Sequence, residues 1–90
     1  MQRIKVAVID TGFDGSHFGD EFDKFKGETF VHKGDTESHW WLSSDAHGTH
    51  MAKLIYSIDP FCQLYIAKVG DDKHDIKVER VTEVCALYVI

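Results

Sequence analysis

Ile4-Lys5-Val6-Ala7-Val8-Ile9-Asp10-Thr11-Gly12 is the stretch on which the fold turns. A β-branched run, apolar apart from Lys5, suits a strand buried in a sheet, and Asp10-Thr11-Gly12 turns the chain where the run stops. Gln63-Leu64-Tyr65-Ile66-Ala67-Lys68-Val69 repeats the pattern, with the turn signal Gly70-Asp71-Asp72 behind it. Between the two, Met51, Leu54, Ile55 and Ile58 recur at helical spacing. Ser43-Ser44-Asp45 offers side-chain oxygens to cap that helix and Pro60 ends it, so a helix is predicted from about His47 to Ile58. From about Val78 the residues Val81, Val84, Cys85, Tyr88 and Val89 predict a second helix that runs to the end of the chain. Strand, helix, strand and helix in that order predict an α/β fold with a parallel sheet. The Gly-, Asp- and His-rich stretch from Phe13 to Ser44 is expected to be loop, apart from a short second strand at Glu28-Thr29-Phe30-Val31.

Ninety residues make one domain, 1–90, with a marginal core, because a chain of this size buries only about 60 to 65% of the surface its unfolded form exposes. A hydrophobic content of 43% and an aromatic content of 12% are too apolar for a disordered tail. The net charge of -5, with both signs interspersed, offers no footprint for nucleic acid or an anionic membrane, and no apolar run approaches the ~20 residues of a membrane span. No signal peptide follows Met1-Gln2-Arg3, which favours an intracellular location. Cys62 and Cys85 lie in apolar stretches and are expected to be free thiols in the core.

In open α/β sheets, reactive groups gather just beyond the carboxyl ends of the parallel strands. Asp10 stands at such an end, and Thr11 and Gly12 turn the chain so that its carboxylate can hold a partner in the crevice. The candidate partner is His47, in the first turn of the helix that opens after Asp45-Ala46, where Gly48 leaves room beside the imidazole. Taken singly, an aspartate at a strand end is a turn or cap residue, and a histidine near a helix start is structural. At a helix N-terminus and beside a neighbouring carboxylate, the imidazole would have the balance of influences that suits a general base.

Val6-Ala7-Val8-Ile9-Asp10-Thr11-Gly12 and His47-Gly48-Thr49-His50-Met51-Ala52 resemble the two N-terminal signature blocks of the subtilisin-like serine peptidases. Pro60, Leu64-Tyr65-Ile66-Ala67-Lys68-Val69 and Glu83-Val84-Cys85-Ala86-Leu87-Tyr88-Val89-Ile90 look like the strand and helix that follow in that family, so the resemblance spans nearly the whole chain. It implies a doubly wound, mostly parallel sheet, truncated here to the N-terminal half of the peptidase domain. It also implies serine-type endopeptidase chemistry on a peptide or protein substrate. In the family's order of acid, base and nucleophile, Asp10 would fix the imidazole tautomer and stabilise the imidazolium, and His47 would take the serine proton and return it to the leaving amine.

The departures from the family are specific. The family's nucleophile lies in a Gly-Thr-Ser segment opening a later helix, and no such segment occurs here; Ser43 and Ser44 sit in polar loops without that context. The family's oxyanion hole uses an asparagine side chain, and this chain has no asparagine. Lys53 stands where the family usually has glycine. The stretch between Ile58 and Leu64 is too short for the calcium loop that many members insert there, so no metal and no cofactor are expected. The chain by itself is expected to be inactive. It is either the front half of a protease completed by a C-terminal half, or a catalytically inactive peptidase-like binding module.

The remaining candidates have plainer explanations. His50 follows His47 by three residues, but no Glu-containing zinc motif or CxxC accompanies the pair, so His50 is expected to pack as a structural histidine. His17, His32, His39 and His74 are expected in solvent, and Trp40-Trp41-Leu42 as a lid packed on the domain. Val8-Ile9-Asp10-Thr11-Gly12 also fits the half-site of a retroviral-type aspartic protease, whose dimer would share a proton between two carboxylates. The two helical patterns argue against that mostly-β fold.

Overall fold

In the computed structural model, which describes residues 4–17, 25–33 and 36–88, the opening stretch forms strand β1, Lys5–Asp10. The second strand, β2, is Lys26–Thr29, two residues earlier than the apolar patch suggested. Phe30 and Val31 instead leave the strand to be buried, although the Phe30 amide still donates to Lys68 O at 2.8 Å. The expected loop also contains a single 3-10 turn at Gly15–His17 and a two-residue antiparallel pair, β3 (His32–Lys33) with β4 (Thr36–Glu37). Helix α1 is Ala46–Ile58, strand β5 is Gln63–Lys68 and helix α2 is Val78–Tyr88. α1 and β5 lie within a residue of their predicted bounds and α2 begins where expected, while its predicted end at residues 89–90 lies outside the described residues.

The main sheet has the order β1-β5-β2, and both pairings are parallel. β5 takes the centre because its apolar residues serve both faces. Leu64 and Ile66 point to one side, where they join Val8, Phe13, Phe25, Ala52 and Cys62, with Val6, Trp40, Met51, Ile55 and Tyr56 packed around them. Ala67 and Val69 point to the other, where they meet Phe30 and Val84, with Tyr65 and Val81 alongside. Thus α1 covers one face of the sheet and α2 the other, as an α/β fold requires. The aspartic-protease half-site fails on the same facts, since an all-parallel sheet between two helices is not the mostly-β fold it needs.

The register runs from Lys5 opposite Gln63 to Asp10 opposite Lys68, so β1 and β5 end level and their following loops share one end of the sheet. α1 is carried on the connection that returns the chain to β5, and its N-terminus therefore arrives at that end. Lys53 falls on the exposed side of α1. Two expectations are corrected. His50 is exposed rather than packed, because α1 turns Gly48, Thr49 and Ala52 inward instead. Cys62 is a buried free thiol, pushed up in pKa by burial, but Cys85 is free and exposed, since α2 rests on the sheet through Val84 and Val81. Among the described residues, no helix is long and apolar enough to cross a membrane.

Candidate active site

The carboxyl end of β1 presents Asp10. Its backbone oxygen accepts from Val69 N at 2.9 Å, which holds the residue in the sheet. Its side chain divides its work: Oδ1 accepts from Thr11 N at 2.7 Å, and Oδ2 lies 2.8 Å from Nδ1 of His47. The Asp10 side chain is 14% exposed and that of His47 is 62% exposed, so the carboxylate sits below and the imidazole stands at the surface. A carboxylate can only accept, so Nδ1 is the donor between them, and in the neutral ring this tautomer leaves the lone pair on Nε2. That is the protonation pattern of an imidazole set to act as a base.

His47 is placed by the start of α1. Asp45 is the N-cap, with Oδ1 accepting from His47 N at 2.9 Å and Oδ2 accepting from Lys73 N at 3.2 Å. The His47 amide, more than any other group, holds the Asp45 carboxyl below its usual range. The next two residues lock the helix to the turn after β1. The Gly48 amide faces Thr11 Oγ1 at 3.4 Å, and Thr49 Oγ1 accepts from Asp14 N at 2.8 Å. Gly12 has φ of 92°, a conformation that favours glycine, and the backbone of Gly48 packs directly on its carbonyl. Ser43 closes the arrangement by donating to Thr11 O at 2.8 Å.

Asp10 and His47, far apart in the chain, are brought together. Asp45 reaches only the backbone of His47, and Asp14 turns to Ser16. The hydroxyls of Ser16, Ser38 and Ser57 donate to Asp14, Asp71 and Leu54 O. Ser44 and His50 line a shallow depression of about 290 Å³ with Asp14, Ser43, Thr49 and Lys53. His32, His39 and His74 are exposed as expected, while the side chain of His17 lies outside the described residues. Among the described residues, no group of three or more His, Cys, Asp and Glu could hold a metal ion.

The aromatic cluster splits rather than acting as one lid. Trp40 packs into the core beside Gly27, whereas Trp41 is exposed and stacks on His39 with ring centroids 4.4 Å apart. Ser43 and Lys68 support the site although sequence reasoning gave them no such role, whereas Thr11 is the turn residue the sequence predicts after Asp10. Only Lys68 carries a local signal, as a lysine set between Ala67 and Val69 in an otherwise apolar strand.

No protein-family model, no curated protein and no solved structure matches this chain.

Proposed function

We propose that Asp10 and His47 are the acid and base of a serine-type endopeptidase centre of the subtilisin-like kind, with the serine nucleophile and the oxyanion donor supplied from outside these residues. The observation that carries it is the 2.8 Å contact from Asp10 Oδ2 to His47 Nδ1 at the carboxyl end of a parallel sheet. With Nδ1 held by the carboxylate, Nε2 takes the proton of an attacking serine hydroxyl as its oxygen bonds to the scissile carbonyl carbon. The imidazolium so formed is stabilised by Asp10 and gives that proton to the leaving amine. The substrate class is a peptide or protein.

A fluorophosphonate probe, which bonds only to an activated hydroxyl, tests this. The chain alone should not label. Joined to a C-terminal half of the subtilisin-like kind, it should gain labelling that disappears with His47→Ala and falls by about 10⁴ with Asp10→Asn, as when a triad aspartate is lost. Labelling of the chain alone that His47→Ala abolishes would reveal a nucleophile within these residues. A completed protein that folds and stays unlabelled would leave the second reading, a catalytically inactive binding module. That reading is favoured by the exposed Ile9 on β1 and the exposed Ile4, Ile58 and Phe61.

A further inference from the structure

Lys68 is the one charged residue of the described core, 3% exposed at the end of the central strand and directly opposite Asp10 in the register. A buried ammonium is retained only where acceptors surround it. Here Nζ donates to Leu42 O at 2.8 Å and to His39 O at 3.3 Å, with Asp71 Oδ1 at 3.5 Å. The Leu42 and His39 carbonyls belong to the loop before α1. The same loop turns the two carbonyls between them toward the turn after β1, Trp40 O accepting from Phe13 N at 2.8 Å and Trp41 O from Gly15 N at 3.2 Å. The lysine stem completes the contact from below: a Cβ added at Gly12 would meet Lys68 Cδ at 2.9 Å.

We infer that Lys68 is a positioning residue of the Asp10–His47 pair. Its ammonium gathers the 39–42 loop over the end of the sheet, and the loop and the lysine stem together hold the Thr11–Gly15 turn in which the Asp10 carboxylate is anchored. The inference rests on the reading of Asp10 and His47 as an acid–base pair, but it requires only that the pair forms, whether or not the protein cleaves peptides. Methionine at this position fills the stem's volume and removes the charge, so it separates holding the loop from filling the core.

The measurement is the tautomer of neutral His47, read from the ¹⁵N shifts of its ring in the 90-residue chain. The unaltered chain should show Nδ1–H, and Asp10→Asn should convert it to a mixture of tautomers. Lys68→Met should give the same mixture while the helix signal in circular dichroism is kept, and adding it to Asp10→Asn should change nothing further. Lys68→Arg, which keeps the charge and its reach to both carbonyls, should restore Nδ1–H. A folded Lys68→Met chain that keeps the Nδ1–H tautomer overturns the inference. If Lys68→Met loses its helices, Lys68→Arg decides: Nδ1–H retained supports the role of the charge, and a mixture in a folded arginine variant overturns it. Loss of the tautomer in the unaltered chain would instead remove the pair itself, a failure distinct from one confined to Lys68.

Discussion

Gly48 packs its backbone against the carbonyl oxygen of Gly12, and a Cβ built at Gly48 falls well inside the contact radius of that oxygen. The atoms that such a Cβ would meet are all main chain of Gly12, in the turn after Asp10, while Gly48 lies in the first turn of the helix that carries His47. The close approach is therefore what brings the two halves of the pair within hydrogen-bonding distance, and it explains why glycine follows His47.

Gly48→Ala should destabilise the chain by about 1–3 kcal/mol, the usual cost of overpacking a well-filled contact. It should also separate His47 from Asp10. The urea midpoint measures the first effect and the ring ¹⁵N shifts of His47 the second. An alanine variant with parental stability and an intact Nδ1–H tautomer would show that this approach can relax without cost.

Stability should fall at acid pH through one cluster. Asp75 accepts from Asp71 N at 3.0 Å and lies 3.0 Å from Lys33 Nζ and 3.3 Å from an Arg80 guanidinium nitrogen. The Asp71 amide first, and then the Lys33 ammonium, bring its pKa down from 3.8 to about 2. Asp71 is lowered as well, chiefly by the Ser38 hydroxyl and then by Lys33. A carboxylate whose folded pKa is depressed contributes stability that is present above its unfolded value and lost as pH drops through the folded one. The urea midpoint should therefore decline as pH is lowered from 3.8 to about 2, and Asp75→Asn should flatten that decline. Superimposable acid limbs for the two proteins would rule the cluster out.

The isolated chain should self-associate. β1 is paired with β5 on one side, and the face it shares with α2 leaves Ile9 38% exposed. A strand with one edge unpaired among the described residues and an apolar face is a template for another chain. Sedimentation at rising concentration should show growing species, and Ile9→Lys should suppress them because a charge on an edge strand opposes pairing. A monomer that melts sharply at high concentration would contradict this.

Much of the architecture was legible because it is written in local periodicity. The apolar runs ending at Asp10 and at Val69 each declare a strand inside a sheet, and the helical spacing of Met51, Ile55 and Ile58 declares which face of that helix is apolar. Those patterns cannot state which strand lies beside which, or how an exposed surface divides. The absence of a metal motif predicts a packed His50 and the apolar neighbours of Cys85 predict a buried thiol, yet each helix rotates them outward once its better-buried residues, Ala52 and Val84, meet the sheet. Trp40 and Trp41 are adjacent and alike, and only the space above Gly27 distinguishes the buried ring from the exposed one.

The sequence alone determined β1, β5, the two helices, the α/β class and the two candidate residues, since strand, helix and cap preferences act over a few neighbouring positions. The tertiary structure decided the order β1-β5-β2, the 2.8 Å meeting of Asp10 with His47 and the burial of Lys68 beneath the loop before α1. These relations join residues that are distant in the chain. They form only when burial of the two faces of β5 brings the ends of the strands level, and no local preference encodes that.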